Sequence, residues 1–231
     1  MANVAQISEH ATWTRAGPVV SRMTEGDIMA LEERATATIA DPIPLGLFGF
    51  ATGTWISGAI VGGAFAPEAL GAIAPILLFF AGIAQFVAGL FAFRRVNALA
   101  ATAFGSFGAF NTASGLLFLL QSAHLMPATG DPVVLQGFFV ESFGFIAFAL
   151  FLASLRTNAA IVITLLLVTI GEACAGIPDL ANSVGRGAYG LVGNIGGWFL
   201  VASSVCAYYA GTAFLVNSTW KRTVLPVGGQ P

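Results

Sequence analysis

Two carboxylates interrupt otherwise apolar stretches of the chain. Glu141 lies within VVLQGFFVESFGFIAFAL, and Glu172 lies within IVITLLLVTIGEACAGIP. A charged side chain in the hydrocarbon core of a bilayer is costly, so such a group is usually paired, protonated or beside water. No Lys or Arg lies well inside either stretch to pair with them. Both are candidate proton-carrying or vestibule carboxylates, and a structural hydrogen bond is the alternative for each.

Uncharged polar residues also lie inside the apolar stretches, and each would ordinarily form hydrogen bonds between helices. They are Gln85, Ser106, Asn111, Thr112, Ser142, Thr169 and Tyr209. The sequence has no HExxH motif, no P-loop, no Ser-His-Asp set within these stretches and no cluster of metal ligands. We therefore predict no catalytic residue, no metal site and no cofactor, and we do not expect an enzyme.

The amino-acid composition indicates whether the surface of the protein faces water or lipid. Of its 231 residues, 57% are hydrophobic and 9% are charged, and the mean hydropathy is +0.85. A soluble domain carries roughly a quarter charged residues. So few charges cannot cover a surface that faces water, so the lipid bilayer is the expected environment. A net charge of −2 argues against nucleic acid as a partner.

An all-α membrane protein is predicted, because a helix needs about 20 apolar residues to cross a bilayer. Six such runs are present, at about 43–64, 73–93, 97–122, 134–155, 159–178 and 190–216. The domains are then an N-terminal tail (1–40), a six-helix transmembrane domain (41–217) and a C-terminal tail (218–231). Residues 24–37 of the N-terminal tail are expected to form a short helix, with Thr24 as its N-cap and Asp27 three residues on.

The basic residues predict the orientation. With six spans both termini lie on one side, which carries Arg15, Arg22, Arg34, Arg94, Arg95, Arg156, Lys221 and Arg222, whereas the other side carries Arg186. Cytoplasmic loops are enriched in Lys and Arg, so both termini are expected in the cytoplasm.

Small and aromatic residues suggest how the helices pack. Glycine pairs four residues apart (Gly49 and Gly53, Gly58 and Gly62, Gly193 and Gly197) permit close helix contact in lipid and leave room for a narrow path. The chain also has 20 Phe residues, a few of which could narrow that path into an apolar constriction.

Three blocks of sequence resemble a known family. DPIPLGLFGF (41–50) resembles the NPAPLGL signature of the acetate uptake transporter family, the succinate–acetate permeases. GIAQFVAGLFAFRRVNALAATAFGSFGAF (82–110) resembles its GGIAQ-x-x-AGL block and the segment that follows, and WKRTVLPVGGQ resembles its C-terminal ending. The blocks keep the family's order and spacing from about residue 41 to 228.

The resemblance implies six transmembrane helices per subunit, a homo-hexameric ring with a path through each protomer, and a place in the plasma membrane. Family members move acetate, succinate and related small carboxylates, and both proton-coupled transport and channel-like permeation are open. The implied constriction is Phe50, Phe107 and Val168. The predicted substrate path comprises Asp41, Pro42, Pro44, Leu45, Gly46, Leu47, Gln85, Asn97, Asn111, Thr169, Ala207 and Tyr209.

Several positions depart from the family pattern. Asp41 stands where the family usually has Asn, Phe107 where the bacterial permeases have Tyr, and Asn111 where an aromatic residue is common. Glu141 and Glu172 stand at positions that are Gly or apolar in bacterial permeases. Two added carboxylates near a path would repel an anion by about a few kcal/mol unless they are protonated or point away.

We therefore keep three hypotheses. The first is a transporter or channel for acetate, succinate and similar small carboxylates, linked to protons. The second keeps the fold and changes the cargo to a small neutral solute such as urea or an amide. The third is a protein that does not transport and that binds a partner through residues 1–40.

Overall fold

The structure is a computed structural model that describes Thr24, Gly26, Asp27, Met29 and residues 39–177 and 190–229. The chain divides into two units, Met1–Ala40 and Asp41–Pro231. The second unit contains all of the helices described next.

The described residues of the second unit form six helical segments and contain no strand. They are α1 (Ile43–Val61), α2 (Ala69–Arg94), α3 (Ala98–Ser122), α4 (Asp131–Ser154), α5 (Ala159–Ala175) and α6 (Gly190–Trp220). The predicted all-α membrane class is confirmed. All except α5 are long and apolar enough to cross a bilayer, whereas α5 has 17 residues and a length of about 25 Å.

The helix ends differ from the predicted runs by a few residues. α4 begins at Asp131 with Pro132 in its first turn, three residues before the apolar run, since proline is well suited to that position. α6 continues to Trp220, past the predicted end at 216. α5 ends at Ala175, short of 178, and residues 178–189 lie outside the described part of the chain.

Glycines allow α1 and α6 to touch backbone to backbone. A Cβ added at Gly197 would collide with the main chain at Gly58 and Gly62. A Cβ added at Gly58 would lie 2.9 Å from the carbonyl oxygen of Gly197. Close packing through small residues, as predicted from the glycine spacing, is therefore confirmed for these two helices.

α2 changes its hydrogen-bonding pattern halfway. It is α-helical over Ala69–Ile76, π-helical over Leu77–Ala84 and α-helical again over Gln85–Arg94. The π-helical part begins two residues after Pro75, which has no N–H to donate within the helix. π-Helical turns are rare and often occur at functional sites.

The segment after α6 folds back onto the bundle. The Asn217 side-chain oxygen accepts from the main-chain N–H of Val224 (2.7 Å) and of Leu225 (3.0 Å), and the Tyr209 hydroxyl donates to the carbonyl of Pro226 (2.5 Å). The carbonyls of Val227 and Gly228 accept from Ala160 and Ala159. The end of the chain thus caps the first turn of α5, whose N–H groups have no partner within the helix.

The first unit contains the predicted helix start at Thr24. The Thr24 amide donates to Asp27 Oδ2 (2.9 Å) and the Asp27 amide donates to Thr24 Oγ1 (3.2 Å), so the two residues cap each other. These hydrogen bonds, chiefly the one from the Thr24 main chain, hold the pKa of Asp27 below its usual value. Most of residues 28–38 lie outside the described part of the chain.

The α1–α6 contact yields a matched pair of variants. Gly197→Ala forces main chains apart, and we expect it to destabilise the protein by about 1–3 kcal/mol. Gly105→Ala meets nothing within 4 Å and places alanine inside a helix, so we expect no loss and up to about 1 kcal/mol of gain. Thermal unfolding in detergent measures both, and equal midpoints for the two variants would contradict the packing described here.

Candidate functional site

Phe50, Phe107 and Val168 belong to one buried apolar cluster, and we call these three residues the neck. The rings of Phe50 (α1) and Phe107 (α3) meet edge to face with centroids 5.4 Å apart, and Val168 (α5) is buried in the same cluster. Phe107 also contacts the rings of Phe110 and Phe143, at 6.4 Å and 5.8 Å. Phe50 and Phe107 are thus in direct contact and Val168 lies in the same buried cluster, and a constriction at these three residues stays a prediction. Apolar constrictions of this kind can gate a pore by excluding water.

A cavity of about 270 Å³ lies on one side of this neck. It is bounded by Phe50, Phe107 and Gln85 at depth and by Asn97, Thr157 and Asn158 in the loops before α3 and α5, and we call it the amide cavity. Arg94 ends α2 beside the first of these loops, and the loops themselves carry Arg95 and Arg156. The C-terminal segment that follows Lys221 and Arg222 docks at the start of α5. The amide cavity therefore lies toward the end of the bundle that carries these basic residues, the basic end.

Three carboxamides line the amide cavity, and the oxygen of each is already bonded. Asn97 Oδ1 accepts from the Ala100 amide (3.0 Å), and Asn158 Oδ1 accepts from the Ile161 amide (3.1 Å), because each Asn is the N-cap of the following helix. Gln85 Oε1 accepts from Asn111 Nδ2 (3.2 Å).

The NH₂ groups of these carboxamides are the hydrogen-bond donors that the described chain leaves unused. Gln85 Nε2 is buried and has no partner within the described chain. Of the described residues, no Asp, Glu, Lys, Arg or His lines this cavity. An uncharged cavity that offers hydrogen-bond donors suits a carboxylate, because the anion is bound without a fixed cation to trap it.

A second cavity, of about 80 Å³, lies on the other side of Phe107. We call it the Glu172 cavity. Thr54, Ser114 and Glu172 line it with exposed fractions of 9%, 7% and 6%, and no side-chain hydrogen bond joins them to another described residue. Buried polar groups are nearly always hydrogen-bonded, so water or a solute is the expected partner here.

Glu141 faces the same region from α4 but does not line either cavity. A Cβ added at Gly176 would lie 2.6 Å from Glu141 Oε1, and this oxygen is buried without a partner in the described chain. Gly176 follows Glu172 by four residues, so the two carboxylates face one surface between α4 and α5. Glu172 is thus the carboxylate that reaches a cavity.

The DPIPLGLFGF motif at the start of α1 packs beside the amide cavity. Pro42, Pro44, Gly46 and Leu47 are buried, Leu47 lines the cavity, and Leu45 is largely exposed. A Cβ at Gly46 would collide with the ring of Phe104, another lining residue. Asp41 Oδ1 accepts from the Ile43 amide (3.1 Å), so the Asp41 carboxylate caps the start of α1.

The other predicted path residues lie elsewhere. Ala207 is fully buried, the Thr169 hydroxyl donates to Leu165 in its own helix, and Tyr209 holds the C-terminal segment. None of the three lines either cavity.

Sequence reasoning missed other residues that line the cavities: Thr157, Asn158 and Thr164 in one, and Thr54, Ser114 and Gln136 in the other. Asn158 carries a signal that could have been used, since Asn directly before an apolar run is a typical N-cap.

Comparison with known proteins decides the family. A family model described as the GPR1/FUN34/yaaH family matches residues 26–229. The chain belongs to the GPR1/FUN34/yaaH family. The resemblance found in the three sequence blocks is thereby confirmed.

Relatives within the GPR1/FUN34/yaaH family include proteins named for transport. The chain is 27% identical over 190 residues to "Succinate-acetate/proton symporter SatP" of Escherichia coli K12, covering 82% of this chain and 96% of that protein. It is 25% identical over 204 residues to "Acetate permease A" of Emericella nidulans, covering 83% and 67%. A solved structure titled "Structure of the bacterial acetate channel SatP" matches with a TM-score of 0.72 at 27% identity, covering 82% of this chain and 99% of that one.

If Phe107 narrows the path, its ring should limit the size of the carboxylates that pass. Phe107→Ala removes a ring shared by both cavities, and we expect the variant to admit bulkier carboxylates such as benzoate, raising benzoate uptake relative to acetate by about tenfold. Proteoliposome uptake measures the ratio. Phe145→Ala is the matched control, because Phe145 is 78% exposed on the outside of the bundle. An unchanged ratio for Phe107→Ala would remove Phe107 from the path.

Proposed function

We propose that this protein is a membrane transporter or channel for acetate, succinate and similar small carboxylates. The observation that carries the proposal is the amide cavity, which offers carboxamide NH₂ groups and contains no acidic side chain among its described lining residues. The names of the relatives support the same substrate class and argue for transport and against catalysis.

The path begins at the basic end. Arg94, Arg95 and Arg156 raise the local concentration of small anions there through their charge. Asp41 caps α1, so its negative charge is compensated in part by the helix N-terminus that it faces. A carboxylate then enters the amide cavity and accepts hydrogen bonds from Asn97, Asn158 and, at the deepest point, Gln85.

Passage through the neck favours the neutral acid. Phe50, Phe107 and Val168 offer no polar group, and a bare carboxylate in such surroundings is costly. Beyond Phe107 the solute meets Glu172, whose negative charge would oppose an anion. We propose that the carboxylate crosses with a proton and that Glu172 exchanges this proton in the second cavity, with Glu141 as the neighbouring titratable group.

The surrounding assembly is proposed from the family and the charge pattern. Both termini lie in the cytoplasm and the protein spans the plasma membrane six times, with α5 as the shortest span. Large apolar side chains such as Phe79, Phe138 and Phe145 are exposed on α2 and α4, and a homo-hexameric ring and lipid would cover them.

The alternative cargo has its own support. The Glu172 cavity presents a carboxylate and hydroxyl groups with no described cationic residue in its lining, a set that also suits a neutral hydrogen-bond donor such as urea or an amide.

Uptake into proteoliposomes separates the two cargoes. We expect labelled acetate to enter faster than labelled urea, and an inward proton gradient to accelerate acetate uptake. Protein-free liposomes give the background from passive acetic acid. Urea flux without acetate flux would overturn the leading proposal in favour of the alternative, and flux of neither would overturn both.

Glu172→Gln tests the proton step. Gln resembles the protonated carboxyl group at every pH, so the variant keeps a neutral second cavity when the wild-type carboxylate has lost its proton. We expect the ratio of variant to wild-type acetate flux in proteoliposomes to rise with pH, as the wild-type carboxylate loses its proton. Glu68→Gln, at an exposed acid outside both cavities, is the control. A ratio that does not depend on pH would show that Glu172 is not the coupling group.

A further inference from the structure

Asn111 joins α3 to α2 through both hydrogens of its carboxamide. Its Nδ2 donates to the carbonyl oxygen of Ala81 (3.3 Å) and to Gln85 Oε1 (3.2 Å). Asn111 is 5% exposed and Gln85 is fully buried, so both bonds lie inside the bundle. The contact lies beside the neck, because Asn111 lines the Glu172 cavity and Gln85 lines the amide cavity.

The Ala81 carbonyl fixes which way the Asn111 amide points. In a regular α-helix the N–H of Gln85 would bond to Ala81, but at the end of the π-helical turn it bonds to the carbonyl of Gly82. The Ala81 oxygen therefore accepts from Asn111. A carbonyl can only accept a hydrogen bond, so the NH₂ end of Asn111 must face it.

The orientation of Asn111 in turn fixes the orientation of Gln85. The second hydrogen of Asn111 Nδ2 needs an acceptor, and the Gln85 side chain can supply only its oxygen. The NH₂ group of Gln85 is thereby turned away from Asn111, and it is the buried donor that lacks a partner. The reversed Gln85 amide would place two NH₂ groups against each other and an oxygen toward the bound anion.

Close packing by α1 leaves little room for another arrangement. A Cβ at Gly53 would lie 2.6 Å from the Cβ of Ala81 and 3.3 Å from Asn111 Oδ1. A Cβ at Gly49 would lie 2.9 Å from the Cβ of Gln85. The two glycines place the α1 backbone directly against this amide pair.

We propose that Asn111 is a positioning residue for substrate recognition: it holds the Gln85 carboxamide with its NH₂ group toward the amide cavity, which makes the cavity select a carboxylate over a neutral amide. The inference rests on the proposed function, since it assumes that Gln85 donates to the substrate. Asn111 acts through Gln85 and need not touch the solute in the amide cavity.

A double-mutant cycle in proteoliposomes tests the proposal. Asn111→Leu is similar in size and removes both bonds, and Gln85→Leu removes the donor. We expect each to raise KM for acetate about tenfold or more with a smaller change in the maximal rate, and to lower the preference for acetate over acetamide. Because Asn111 acts through Gln85, adding Asn111→Leu to Gln85→Leu should raise KM no further.

Thr112→Val is the matched control. Thr112 is the next residue on α3, its hydroxyl donates to Gly108 in the same helix, and it does not line either cavity. We expect its KM and its selectivity to match the wild type. Additive effects of Asn111→Leu and Gln85→Leu on KM, or an unchanged acetate preference in Asn111→Leu, would overturn the proposal.

A spectroscopic measurement separates failure of this inference from failure of the proposed function. With ¹⁵N-labelled Gln in detergent-solubilised protein, the side-chain NH₂ signal lost in Gln85→Leu identifies Gln85. We expect Asn111→Leu to shift that signal without any solute, and acetate to shift it at lower concentration in wild type than in Asn111→Leu. If Asn111→Leu does not shift the Gln85 signal, the contact that orients Gln85 is refuted. If Asn111→Leu shifts the signal but acetate never does, Gln85 is refuted as a donor to the carboxylate.

Discussion

The scarcity of hydrogen-bond partners inside a bilayer governs this structure. With lipid around the helices, each polar group at depth must bond to protein, to trapped water or to a solute. Most of the described hydroxyls meet this demand locally by donating to a carbonyl in their own helix, as Thr164 and Ser106 do. Among the described residues, Gln85 at the amide cavity and Thr54, Ser114 and Glu172 at the Glu172 cavity keep polar groups without a protein partner, and Glu141 keeps one outside both cavities.

The two cavities have opposite chemistry on either side of one aromatic ring. Gln85 offers a donor in a cavity whose described lining has no acid, whereas Glu172 brings a carboxylate to the other side of Phe107. A solute that is an anion in the first cavity and a neutral acid in the second fits both. In the proposed mechanism, this asymmetry links recognition of the carboxylate to its protonation without a basic residue in the described spans.

Backbone irregularities hold this arrangement in place. The π-helical turn of α2 presents the Ala81 carbonyl to Asn111, and glycines on α1 let its backbone approach the same spot. At the basic end, the C-terminal segment caps α5 next to Asn158, so the cavity rim depends on residues far apart in the sequence.

The sequence by itself determined the membrane class, the approximate helices and the family, because long apolar runs and local signatures depend on neighbouring residues alone. Through the family resemblance it also predicted a constriction at Phe50, Phe107 and Val168. Only the tertiary structure decided which polar side chains share a cavity. The sequence did not indicate Asn158 and Ser114 as lining residues, and it predicted Tyr209 on the path although Tyr209 lines neither cavity. On a helix that is apolar on nearly every side, the sequence has no periodic pattern that shows which way a side chain faces.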